Sequence, residues 1–171
     1  TLALGPMADV STEPRWGRVN GTFGESSDLV SSLTKSYIKG LQGKKLDDES
    51  VASMVKHFPG SGPLDGGKDS HFPPGIQSYR GDNFQYHIKP FEEAIKIGVS
   101  SIMPYYSLPI GITDEEVAAG YNSELLVDLL RNKYAFDGII CTDWAIISDI
   151  ALPNGHCLLY TSDAADEGHC V

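Results

Sequence analysis

The sequence is short of cysteine, of basic residues and of long apolar runs, and each shortage excludes something. Cys141, Cys157 and Cys170 are the only cysteines in 171 residues, an odd and sparse set that does not suggest a disulfide framework. Lys and Arg number 13 against 23 Asp and Glu, a net charge of −10, which argues against nucleic acid as a partner because a phosphate backbone calls for clustered cations. No run of about 18 apolar residues occurs, so no membrane span is encoded. No basic n-region or signal pattern precedes Thr1-Leu2-Ala3-Leu4-Gly5-Pro6, and the start reads as a cut through a longer protein. What is present is a hydrophobic content of 41% with 18 Gly and 10 Pro in no collagen-like period, the composition of a packed globular chain. At roughly 100–200 residues per domain, this length corresponds to one.

The last residues read differently from the rest. The run from Cys157 to Glu167, CLLYTSDAADE, resembles the translation of a transposon-type sequencing adapter. The expectation is therefore a domain over residues 1–155 and a non-native tail over 156–171. His156-Cys157 and His169-Cys170 lack the C-x-x-C spacing of structural zinc sites, so no metal site is expected there.

Between Leu2 and Ile150, short apolar runs alternate with helical patterns. Leu2-Ala3-Leu4 leading to Met7-Ala8-Asp9-Val10, then Val51 to Val55, Val99 to Met103 and Gly138 to Thr142, are near-continuous apolar runs of the kind covered on both faces in parallel sheets. A helix capped by Ser26, Ser27 or Asp28 is predicted with Leu29, Val30, Leu33, Tyr37, Ile38 and Leu41 inward, ending at Gly40 or Gly43. Pro90 fits the first turn of a second helix carrying Phe91, Ala94 and Ile95 and stopped by Gly98. A third starts at Asn122 or Ser123 with Leu125, Leu126, Leu129 and Leu130 as its stripe. The alternating order predicts an α/β fold with parallel strands, either an open sheet or a partial barrel. The strand exits lie roughly 40–50 residues apart, against about 31 per unit of a (β/α)8 barrel, so the units carry long loops. The longest, 59–82, holds Gly60, Gly62, Gly66, Gly67, Gly75 and Gly81 with Pro63, Pro73 and Pro74, and a loop of that length is more often functional than not.

Polar residues gather just after each predicted strand: Asp9 followed by Arg15-Trp16-Gly17-Arg18, then Lys56-His57, then Met103 with Tyr105 and Tyr106, then Thr142-Asp143-Trp144. In α/β folds that end of the strands faces the ligand. A carboxylate beside an aromatic suits a sugar, since the carboxylate accepts from several hydroxyls while the ring packs on the apolar sugar face. Taken singly, each residue has a plainer use: Asp143 as a helix cap, Lys56-His57 as a solvated strand end, Trp16 and Trp144 as core, Arg18 in a structural ion pair. Their convergence at successive strand ends argues for the site.

Three blocks resemble glycoside hydrolase family 3 in its N-terminal catalytic barrel: Asp9 to Arg18 with Thr22-Phe23-Gly24-Glu25, Lys56-His57-Phe58-Pro59-Gly60, and Phe136 to Trp144. They stand in the family's order and cover nearly all of residues 1–150. The resemblance implies a partial (β/α)8 TIM-type barrel and a retaining β-glycosidase, of β-glucosidase type, acting on small-molecule or oligosaccharide β-glycosides. Asp143, in the aspartate position of the (S/T)-D-W motif, would be the nucleophile. Lys56, His57 and Arg18 would hold sugar hydroxyls in the −1 subsite, Met103 and Tyr106 would touch the same subsite, and Trp144 would line the pocket. Such a reaction needs two carboxyl-type groups about 5–5.5 Å apart and no metal or organic cofactor.

The acid/base partner is where the resemblance divides. In two-domain members it is a glutamate of a second, downstream domain, which together with the upstream barrel strands would lie outside this sequence. In the single-domain β-N-acetylglucosaminidase branch, an Asp-Ser-His in the loop after KHFPG does the work. Asp69-Ser70-His71 is present here, but Ser61 stands where that branch has a second histidine, and six residues, Pro63 to Lys68, intervene. The following Phe72-Pro73-Pro74-Gly75 looks more like the two-domain type. The glucosidase or xylosidase reading therefore leads, with His71 and Asp69 as acid/base the alternative and an inactive sugar-binding piece the non-enzymatic one.

Overall fold

The structure, a computed structural model, describes residues 1–72, 75–144 and 146; the adapter-like tail, with Cys157 and Cys170, lies outside them. In chain order the strands are β1 (Leu2–Ala3), β2 (Ala52–Phe58), β3 (Ile76–Ser78), β4 (Ser101–Pro104), β5 (Leu108–Ile110) and β6 (Ile139–Ile140). The helices are α1 (Ser27–Gln42), α2 (Phe84–Lys96) and a π-helix over Glu124–Lys133.

β1, β2, β4 and β6 pair in that order, all parallel, with α1, α2 and the π-helix as the three crossovers that parallel pairing requires. A doubly wound sheet reverses its strand order partway along. Here the order is strictly sequential, which is the arrangement of consecutive units of a (β/α)8 barrel and resolves the choice that the periodicity left open.

α1 starts where its cap predicts, with the Ser26 hydroxyl accepting from the Leu29 N–H, and ends at Gly43 with φ 72°. Its buried face is only partly the one predicted, Val30 and Ile38 being inward as expected. Leu29, Leu33 and Tyr37 are exposed, while Ser27, Val30, Ser31, Thr34, Ile38 and Gln42 face inward. Small hydroxyl residues allow α1 to approach α2 closely, and Ser31 donates back to the Ser27 carbonyl at 2.7 Å, so it enters the core already bonded. Gln42 ties the end of α1 to the sheet: its Oε1 accepts from the Ser53 and Ser100 N–H groups, and its Nε2 donates to the Gly98 carbonyl.

α2 begins six residues before Pro90, which sits inside it, buried, rather than in the first turn. A proline there leaves the carbonyl four residues back without its helical donor. That carbonyl, of Tyr86, is taken by the Ser27 hydroxyl at 2.6 Å, so the neighbouring helix supplies what the proline withholds. At the π-helix the Asn122 side chain accepts from the Leu125 N–H at 3.0 Å and buries Leu125 and Leu130. The core gathers Val55 and Ile102 of the sheet with Ile38, Phe91, Leu130 and Phe136 from the helical layer. Phe58 and Phe91 meet edge to face at 5.7 Å.

The pair β3–β5, also parallel, was not foreseen. β3 lies in the glycine- and proline-rich 59–82 segment and ties it to β5, which follows β4.

Candidate active site

The site grows from the exit of β2. Its pairing with β4 runs Lys56↔Met103 and then Phe58↔Pro104, skipping His57, and the Lys56–His57 and Phe58–Pro59 peptide bonds are cis. His57 is 1% exposed and its Nδ1 lies 2.9 Å from Asp9 Oδ2. Asp9, fully buried after β1, also accepts from the backbone N–H groups of His57 and Ser61. The turn after β2 passes so close to β1's exit that a Cβ on Gly62 would stand 1.5 Å from the Val10 carbonyl oxygen, which only glycine permits. The Gly60 carbonyl is held from above by Gln77 Nε2 and the Tyr79 hydroxyl, both at 3.1 Å.

Asp143 enters from the exit of β6. It is 6% exposed; Oδ2 lies 4.0 Å from His57 Nε2, and Oδ1 accepts from the Trp144 N–H at 2.8 Å. Lys56 shares this end of the sheet. Burial, then the nearby Arg18 guanidinium, pushes its ammonium below the usual lysine range, while the Asp143 and Asp9 carboxylates pull the other way. Burial, then the charge of Asp143, pushes the Tyr106 phenol up. Tyr106 donates to the Trp144 carbonyl.

A second cluster adjoins the first. Arg18 donates to the Tyr105 hydroxyl at 2.8 Å, and that hydroxyl donates on to Asp69 Oδ1 at 3.1 Å. Trp16 Nε1 donates to Asp69 Oδ2 at 2.9 Å, and His71 Nδ1 lies 2.5 Å from Asp69 Oδ1. Burial alone would raise the Asp69 carboxyl, but the His71 and Trp16 hydrogen bonds outweigh it and hold the group well below the usual carboxylate range. Burial opposes the charged Arg18 guanidinium, yet Tyr105, Asp69 and Asp9 more than offset it, and the net direction is upward. The His71 ring stands 5.7 Å from that of Tyr105 and 4.7 Å from that of Tyr106.

Asp143, Lys56, His57, Met103, Arg18 and Tyr106 thus come from four strand exits to one end of the sheet. Among the described residues Arg18 forms no ion pair of the kind its plainer reading offered; it donates to the Tyr105 phenol. Trp16 is core, 2% exposed, whereas Trp144 is not core, being 79% exposed after the exit of β6. His71 and Asp69 are paired and border the same end. Two residues that sequence reasoning placed at the strand ends without an individual role prove central. Asp9 holds His57, and Tyr105 joins Arg18 to Asp69 while stacking on His57 at a centroid distance of 4.3 Å. The signal for Asp9 was an acidic residue directly after an apolar strand; Tyr105 was masked by Tyr106 beside it.

Known proteins resemble this chain in sequence and in fold. Beta-glucosidase C of Emericella nidulans is 51% identical over 154 residues, 89% of this chain and 25% of that protein; the chain spans about a quarter of the length of such curated relatives. Among solved structures, the glycoside hydrolase family 3 beta-N-acetylglucosaminidase of Paenibacillus sp. superposes with a TM-score of 0.80 at 27% identity, over 96% of this chain and 31% of that one. The beta-glucosidase of Listeria innocua in complex with glucose gives 0.76 at 28% identity, over 90% of this chain and 21% of that one. The model of the glycosyl hydrolase family 3 N terminal domain matches residues 1–166. The chain belongs to glycosyl hydrolase family 3, within its N-terminal domain.

Proposed function

We propose that the protein carrying this chain is a retaining β-glucosidase, with Asp143 as the nucleophile that forms a glycosyl ester. The observation that carries this reading is the position of the Asp143 carboxylate: nearly buried at the strand ends, 4.0 Å from His57 Nε2, with the Lys56 cation in its field. A carboxylate that must attack a sugar carbon has to stay ionised, and a neighbouring cation favours that form. Lys56, His57 and Arg18 grip sugar hydroxyls, Met103 and Tyr106 border the same ring, and Trp144 offers an exposed aromatic face at the rim. Hydrogen bonds to the hydroxyls that tighten as the oxocarbenium ion develops lower the barrier. The beta-glucosidase identity of the Emericella relative and the glucose bound by the Listeria enzyme support a glucoside substrate. A 2-fluoro-glucoside inactivator is expected to label Asp143 in the full-length protein; labelling of another carboxylate, or none alongside full inactivation, overturns the assignment.

One observation favours a second reading of the proton donor. The Asp69–His71 pair is formed, and His71 stands against Tyr106, which itself adjoins Asp143. In this reading His71, oriented by Asp69, protonates the leaving oxygen, and the enzyme groups with the β-N-acetylglucosaminidases. His71→Gln then slows substrates with poor leaving groups far more than activated aryl glycosides. Equal slowing of both leaves the role to a group elsewhere in the protein.

A further inference from the structure

Asp9 is crowded with donors. Its Oδ1 accepts from the Ser61 N–H at 2.6 Å and from the His57 N–H at 3.2 Å, and its Oδ2 lies 3.3 Å from that same N–H and 2.9 Å from His57 Nδ1. Backbone N–H groups only donate and cannot turn away. Both Asp9 oxygens are therefore acceptors, and the ring nitrogen facing Oδ2 must bring a hydrogen. The other ring nitrogen, Nε2, faces Asp143 Oδ2 at 4.0 Å, beyond direct hydrogen-bond range. The Tyr105 ring, 4.3 Å from the imidazole, holds the ring plane.

We propose that Asp9 is a positioning residue, which fixes a proton on Nδ1 of His57 so that Nε2 is left bare to accept a hydrogen bond from a sugar hydroxyl beside Asp143. The inference rests on the reading of His57 as a sugar-binding residue, and it adds what sets the hydrogen-bonding sense of that histidine. An amide cannot hold a proton on Nδ1 as the carboxylate does, because its NH2 group would meet that proton donor to donor. In Asp9→Asn the amide oxygen stays on the short Ser61 N–H, and the NH2 group turns to Nδ1, which must then accept. The ring proton is forced onto Nε2, which can then no longer accept from a sugar hydroxyl.

The test is 15N NMR of the histidine-labelled full-length protein, wild type and Asp9→Asn, with hydrolysis of an aryl β-glucoside measured alongside. The expected result is a His57 Nδ1 bonded to hydrogen in the wild type and bare in the variant. The accompanying loss in kcat/KM is at least on the order of 100-fold, against the about 10⁴-fold that a wrong tautomer costs a serine hydrolase, and it falls mainly in kcat. A structural role alone would not move the tautomer. A bare Nδ1 in the wild type overturns the proposal, and this spectrum needs no variant to fold. A folded variant that keeps the Nδ1 proton overturns it equally. A wild-type protein with a protonated Nδ1 but no β-glucosidase activity sinks the functional reading and leaves the Asp9–His57 geometry standing.

Discussion

The Ser27 hydroxyl donates to the Tyr86 carbonyl across 2.6 Å, filling the place of the N–H that Pro90 lacks. Two helices far apart in sequence are thereby fitted to each other by one defect and its repair. Ser27→Ala leaves a buried carbonyl unsatisfied and is expected to cost about 1–3 kcal/mol, measured by urea unfolding. In the Pro90→Ala background residue 90 donates to Tyr86 itself, and the same Ser27→Ala change is expected to cost much less. Equal costs in the two backgrounds would refute the coupling.

Acid stability is expected to turn on His87, whose ring is fully buried with Nδ1 lacking a hydrogen-bond partner among the described residues. Burial pushes it down to about 4, against a weaker opposing pull from Asp9. The unfolded chain takes up this proton below about pH 6.5 and the native chain only near pH 4, so the unfolded state binds more protons between the two. Stability therefore falls as pH drops through that window, by roughly 3 kcal/mol for this group. His87→Gln is expected to flatten the fall between pH 6.5 and 4, read from urea midpoints. The losses from Glu93 and Glu13, whose carboxyls are held to about 2, belong to lower pH and remain. An unchanged slope would show that His87 does not set it.

The alkaline limb of activity is expected to report Lys56. Its ammonium must be charged to grip hydroxyls and support Asp143, and burial together with Arg18 lowers the pH at which it loses that charge. Activity should therefore fade at lower pH than an ordinary lysine would allow. Arg18→Gln removes one repelling cation, so the limb of kcat/KM moves to higher pH while its plateau drops. A limb that stays put, or moves down, assigns the titration elsewhere.

Much of the sheet was legible in the sequence because buried parallel strands are written as apolar runs, and the four runs fall on or beside β1, β2, β4 and β6. The strand ends also announced Lys56, His57 and Asp143, whose polar side chains directly follow those runs. The inward face of α1 was only partly legible, because hydrophobicity points to Leu29 and Leu33 while close helix packing selects Ser27, Ser31 and Thr34. Pro90 misled in the same way: its tolerance deep in α2 depends on a hydroxyl from another helix, which no local pattern encodes. Asp9 and Tyr105 stood at strand ends in the sequence, but what they hold was not legible, since Asp9 bonds His57 and Tyr105 bonds Arg18 across about 50 or more positions.

The grip of Gln77 and Tyr79 on the Gly60 carbonyl straps β3 and its exit to the histidine's own turn. Displacing either strap would drag the His57 loop with it. Even exposed Phe72 has little slack, because His71 beside it is moored to Asp69, and Asp69 to Trp16 and Tyr105.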